Sequence, residues 1–139
     1  MVANPAVTDA MSRHWWQAID DGRLELQTCS RCRTRQHPPG PLCRTCVSAD
    51  HLGWVEHAGH GHIVAASEVY STPYEHLRDG GPYWVALVEL EPEVVVLTNI
   101  IDLPERTAPT PRQCVSLHLV PRHGRTLPVF APAVGDCDG

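Results

Sequence analysis

Cys29-Ser30-Arg31-Cys32 is followed, across a proline-rich stretch, by Cys43-Arg44-Thr45-Cys46. Each Cys-x-x-Cys pair can sit on one tight turn with both sulfurs on the same side. Two such turns brought together make a tetrahedral thiolate cage, the geometry that Zn²⁺ takes with Zn–S of about 2.3 Å. Iron fits the same four ligands, and two disulfides are a further possibility, although nothing in the chain points to a secreted context. With zinc, all four positions are filled by protein. The metal is then structural, with no site left for water or substrate, and its binding contributes folding free energy directly.

A knuckle of this kind commonly has glycine just after its second cysteine, where the backbone turns through positive φ. Arg33 and Val47 stand there instead. A β-branched valine is costly in that conformation, so the second knuckle is expected to be irregular. Arg31, Arg33, Arg35 and Arg44 surround the cage. They can offset its charge, or grip a phosphate or a partner's carboxylate with paired hydrogen bonds.

Other clusters are weaker. His57, His60 and His62 offer imidazoles, but without a carboxylate at a matching offset they read as exposed histidines. Glu68, Glu89 and His118 fall on predicted strands, and any acid–base pair among them has to be assembled across a sheet. No Gly-x-Ser-x-Gly elbow and no glycine-rich phosphate loop occurs. The absence of lysine excludes a lysine Schiff base. The formal charge of −5 falls to about −7 with a zinc tetrathiolate included, which disfavours nonspecific nucleic-acid binding. No apolar run is long enough to cross a membrane, and the first ten residues lack the pattern of a signal peptide. The expected location is the cytoplasm, which suits reduced thiolates. Of the two remaining cysteines, Cys114 opens an apolar strand and is expected to be a small buried hydrophobe, whereas Cys137 lies in a polar tail; a bond between the two is the lesser alternative.

The elements that must position the cage are short. A helix capped by Thr8 or Asp9 should end before Gly22. Met11, Trp15 and Ile19 form its apolar stripe, and Trp16 lies beside it. Both tryptophans can pack on the zinc module; alternatively, because adjacent residues diverge by about 100° on a helix, one serves the fold and the other anchors a partner, where Trp is enriched. Leu24, Leu26 and Thr28 alternate with Glu25 and Gln27, giving a strand into the first knuckle. Residues 61–69, 83–90, 94–101, 115–120 and 127–130 read as further strands. That succession, with no convincing second helix, argues for a small barrel or sandwich. The module boundary is expected near Gly53, dividing residues 1–53 from 54–139. The long insertion at 71–82 carries Tyr74 and Arg78, residue types typical of contacts with a ligand or partner.

Several features together resemble one family. They are the paired tryptophans, Gly22-Arg23-Leu24, the two cysteine pairs around a proline-rich turn, Trp54-Val55-Glu56, Gly59-x-Gly61, the segment 82–90 (Pro-Tyr-Trp-Val-Ala-Leu-Val-Glu-Leu) and Leu127-Pro128-Val129-Phe130. They resemble the zinc-ribbon and OB-fold proteins once called domain of unknown function 35, over about residues 10–132. The resemblance implies a mainly β chain: an N-terminal helix and rubredoxin-like zinc ribbon, then a C-terminal OB-fold barrel. It implies an accessory subunit, without a catalytic residue of its own, of thiolase-superfamily enzymes that handle acyl-CoA. These include thiolases, acyltransferases and steroid side-chain retro-aldolases. Some members are instead fused or bound to hot-dog-fold hydratases. Such a subunit helps form the acyl-CoA channel. The chain departs from the pattern in its knuckles, at the turn Glu91-Pro92-Glu93, and where Gln113 or Cys114 replaces a glycine before the fourth barrel strand. The alternative reading is a zinc-ribbon and OB-fold protein that binds nucleic acid through barrel aromatics, but the barrel's arginines are few and dispersed.

Overall fold

The structure, a computed structural model, describes residues 10–70, 82–105, 107–122 and 124–134. Helix α1 (Arg13–Asp20) starts from Ser12 at its N-cap; Thr8 and Asp9 lie outside the described residues. It ends in a Schellman motif. Gly22 takes φ 87°, its N–H reaches the Ile19 carbonyl at 3.0 Å, and the Arg23 N–H reaches Ala18 at 2.8 Å. Met11 precedes the helix and is 45% exposed, so the buried face is built from Trp15, Trp16, Ala18 and Ile19.

Strand β1 (Leu24–Cys29) follows, then the two-residue β2 (Arg35–Gln36) and β3 (Leu52–His57). They form a three-stranded antiparallel sheet in the order β2-β1-β3. The expected boundary at Gly53 falls inside β3, whose whole length from Leu52 to His57 is paired with β1. Gln27 was expected beside Glu25 on the outer face, yet it is buried. β1 is the central strand, and the proline-rich loop hydrogen-bonds to Gln27 from that side.

The remaining strands are β4 (His60–Val69), β5 (Tyr83–Glu91), β6 (Val94–Ile100), β7 (Cys114–Arg122) and β8 (Arg125–Pro132). They close into a barrel in the order β4-β5-β6-β8-β7. Pairings are antiparallel except β6 with β8, which are parallel and in register at Ile100 and Phe130. This is an OB fold. Closure removes the exposed strand edges that an open sheet of this length would present. Gly61 permits the tight entry of β4: a Cβ there would stand 2.5 Å from the Glu89 carbonyl oxygen of β5. The β6–β8 seam is helped by Thr98, fully buried, whose hydroxyl donates to the Pro128 carbonyl at 3.0 Å.

Ribbon, helix and barrel share one core. Trp15, Trp16, Ile19, Leu24 and Leu26 belong to the same buried cluster as Ile63, Val88, Val94, Val115 and Phe130. Arg35 on β2 also reaches the barrel, donating to Glu91 at the end of β5 at 2.9 Å. For Cys114 the structure follows the lesser expectation rather than a buried free thiol. It is half-buried and disulfide-bonded; Cys137 lies outside the described residues.

Candidate metal centre

Cys29 ends β1, Cys32 follows on the first turn, and Cys43 and Cys46 bracket the second. All four sulfurs lie within 4.8 Å of one another. Cys29 and Cys46 are 3.7 Å apart and Cys32 and Cys43 3.4 Å. A tetrahedron of Zn–S bonds of about 2.3 Å has edges of about 3.8 Å, so the donor set fits zinc.

The two knuckles are built alike. The Arg33 N–H returns to the Cys29 carbonyl at 2.8 Å, and the Val47 N–H to the Cys43 carbonyl at 2.9 Å. The Cys29 N–H reaches Thr34 at 2.9 Å, and the Cys43 N–H reaches Ser48 at 3.0 Å. Arg33 takes φ 66° and Val47 φ 59°. The second knuckle is therefore regular, contrary to expectation. The metal-binding turn imposes its backbone on valine, and the steric cost is borne rather than avoided.

The thiols show why a cation suits the cage. Hydrogen bonds from the Thr34 hydroxyl and backbone N–H hold Cys32 down to about 6. Cys46 accepts a backbone N–H from Ser48, which favours its thiolate, yet burial and the neighbouring cysteines push it up to about 11. Four thiols this close cannot all ionise side by side unless a cation balances them. A divalent metal supplies that charge.

Two residues not singled out in the sequence position the second pair. Gln27 and Gln36 face each other across β1 and β2, and Gln36 donates to the Gln27 side-chain oxygen at 2.7 Å. Gln27 also accepts the Gly40 N–H and donates to the Gly40 carbonyl, both at 2.9 Å. Gln36 accepts the Arg44 N–H at 2.9 Å and donates to the Leu42 carbonyl at 3.0 Å. The two amides thus clamp the loop on both sides of Cys43. The only trace in the sequence is a pair of neutral amides flanking the first knuckle.

His37 stands behind this loop, tilted against Trp15 at 4.6 Å between ring centroids. Burial, with the nearby Arg44 charge, holds it down to about 4. Trp15 and Trp16 are 7% and 9% exposed and both enter the shared core. Of the two expected arrangements the structure shows joint packing rather than one tryptophan facing outward, because ribbon and barrel cover the helix from two directions. An apolar groove of about 330 Å³ still opens beside them, lined by Pro38, Pro39, Leu87, Val95 and Leu97. Tyr74 and Arg78 lie outside the described residues.

The histidines are half-buried rather than exposed as expected, and they do not converge. His57 lies 3.7 Å from Glu91, and His62 lies 3.4 Å from Glu89 across β4 and β5. Burial lowers the pKa of His57 against the opposing pull of Glu91. Among the described residues, the four cysteines are the one His, Cys, Asp or Glu group arranged to hold a metal ion. Glu68 sits opposite Trp84 and His118 opposite Val129, so neither meets Glu89. No helix among the described residues is long and apolar enough to cross a membrane.

Comparison with known proteins agrees with this architecture. Residues 16–51 match the family model described as ChsH2, rubredoxin-like zinc ribbon domain. Residues 54–109 match ChsH2, C-terminal OB-fold domain. A "Probable enoyl-CoA hydratase alpha subunit" of Thermomonospora curvata is 36% identical over 122 residues, covering 86% of this chain and 37% of that protein. The chain therefore spans well under half the length of that relative. A "DUF35 domain-containing scaffold protein" of Methanothermobacter thermautotrophicus is 34% identical over 90 residues, 65% of this chain and 67% of the relative. Among solved structures, a chain of the "Ltp2-ChsH2(DUF35) aldolase" superposes with TM-score 0.81 at 33% identity, covering 92% of this chain and 98% of that one. A DUF35-family protein from Sulfolobus solfataricus, 14% identical with TM-score 0.56 over 79% of this chain and 78% of its own, shares the fold. With its tetracysteine ribbon suited to structural zinc and its five-stranded closed barrel, the chain belongs to the ChsH2 zinc-ribbon and OB-fold family, the DUF35 proteins.

Proposed function

We propose that this protein is a non-catalytic accessory subunit that binds a thiolase-superfamily enzyme and helps form its acyl-CoA channel, with a structural zinc held by Cys29, Cys32, Cys43 and Cys46. The observation that carries this reading is the superposition, over nearly the full length of both chains, on a chain of the Ltp2-ChsH2(DUF35) aldolase. The scaffold-protein and hydratase-subunit names of the two relatives support it from the sequence side. So does the site itself. A closed tetrathiolate leaves zinc no open position for substrate, and the acid–base candidates Glu68, Glu89 and His118 stand apart. The protein's own contribution is a rigid, metal-pinned surface on which a larger subunit can be built. A retro-aldolase of the Ltp2 type is the first partner to try, and a hot-dog-fold hydratase the second.

The test is co-expression with an Ltp2-type aldolase subunit, followed by size exclusion and an acyl-CoA cleavage assay. Co-elution, with turnover that requires both chains, is the expected result. Turnover of an acyl-CoA by this chain alone, or separate elution from both classes of enzyme, would overturn the reading.

A further inference from the structure

Two exposed side chains beside the cage stand in a backbone conformation that disfavours them. Val47 has φ 59° and is 67% exposed; Arg33 has φ 66° and is exposed. Each directly follows a cage cysteine, so they flank the same four sulfurs. A left-handed conformation costs a non-glycine residue about 1–2 kcal/mol. Within the chain the Val47 side chain returns little of that, because most of it faces solvent. Leu42, on the approach to the second knuckle, is likewise 43% exposed.

The arginines around the cage divide into two kinds. Arg35 is engaged by Glu91 at 2.9 Å, and Arg44 by the Pro38 and His37 carbonyls at 2.6 and 3.3 Å. Arg31 and Arg33 have no side-chain partner among the described residues. The ribbon tip thus presents two uncommitted guanidinium groups beside exposed valine and leucine, on a chain whose formal charge is −5.

We infer that the cage tip of the ribbon is a docking surface, and that its occupant is a protein surface bearing carboxylates around an apolar recess. The inference rests on the accessory-subunit reading and names the part of the chain that meets the partner. Paired guanidinium–carboxylate hydrogen bonds supply orientation. Burial of Val47 and Leu42 supplies the desolvated centre that an interface needs. Phosphates alone, whether of CoA or of a nucleic acid, match the arginines but leave both apolar side chains uncovered.

The probe is the purified Ltp2-type aldolase subunit, titrated against the full-length chain. Two variants are compared, Arg31→Gln with Arg33→Gln, and Val47→Gly. Each should retain its zinc, and each should raise the Kd about tenfold, the effect of losing one well-buried contact. Val47→Gly should at the same time bind zinc at least as tightly as the parent, since glycine relaxes the left-handed turn. The parent's Kd should rise with salt and the double variant's should not. Parent-like Kd values in both variants would overturn this inference alone. So would loss of zinc from the arginine variant, which would assign the arginines to cage charge balance, or displacement of the partner by CoA in proportion to its phosphates. Failure of the unmodified chain to bind either class of enzyme would instead sink the accessory-subunit reading, and this inference with it.

Discussion

Because the ribbon and the barrel share a core, loss of the metal should not leave an undisturbed barrel behind. Cys43→Ser is the clean perturbation: Cys43 is 1% exposed, and its loop is clamped by Gln27 and Gln36. Structural zinc binding is folding free energy, about 10–16 kcal/mol in small zinc modules, and losing a thiolate removes much of it. If the ribbon opens, α1 loses its seat on β1, and with it Trp15, Trp16 and Ile19, now 7%, 9% and 0% exposed. Burying each such side chain is worth about 1.5–3 kcal/mol. The seam they make with the barrel is therefore worth about 5 kcal/mol or more, a large fraction of the ~5–15 kcal/mol that stabilises a typical domain. Cys43→Ser should therefore melt in one transition roughly 10 °C or more below the parent. Hydrogen-exchange protection should fall in β8, on which the helix packs, as well as in the ribbon. Chelation of zinc from the parent should reproduce both effects. A variant whose barrel amides keep parental protection, with a separate barrel transition at the parental temperature, would refute the shared-core reasoning.

Three further expectations follow from single contacts. Gly61→Ala forces a Cβ to within 2.5 Å of the Glu89 carbonyl, whereas Gly53→Ala meets nothing within 4 Å. The first should cost about 2–3 kcal/mol in denaturant unfolding, near the top of the overpacking range, and the second should be neutral or slightly stabilising; equal effects would refute the close approach. Thr98→Val removes the hydroxyl bonded to Pro128, and should cost about 1–3 kcal/mol by leaving a buried carbonyl unsatisfied at the β6–β8 seam; a variant as stable as the parent would remove that role. His37 is held down to about 4 by burial and by Arg44, below its ordinary 6.5. Its contribution is complete above about pH 6.5, because below that the unfolded chain takes up the proton first, and it is lost as pH falls toward about 4. His37→Gln should therefore flatten the stability profile between about pH 7 and pH 5 by up to about 2 kcal/mol; parallel profiles would show that the loss belongs to the thiolates instead.

The ligand set and the order of elements were legible before any fold was known. Two Cys-x-x-Cys pairs are local, and a thiolate cage tolerates little variation in what lies between them, so Cys29, Cys32, Cys43 and Cys46 could be read directly. The barrel strands were legible because alternation along a strand is also local, and the expected segments agree with β4 to β8 within three residues at each end. Three features depended on contacts between distant parts of the chain. Whether a residue adopts positive φ depends on the turn that encloses it: Arg33, Val47 and Glu93 do so without glycine, and ahead of β7 it is Arg112, not Gln113 or Cys114, that takes it. The burial of Trp15 and Trp16 together needed two bodies closing on one helix, which helical periodicity cannot represent. By alternation Gln27 falls on the outer face with Glu25; the Pro-rich loop folds over it, and its partnership with Gln36 exists only in that fold. In each case the deciding contact joins residues distant in the chain or lies on a second face, where local pattern carries no information.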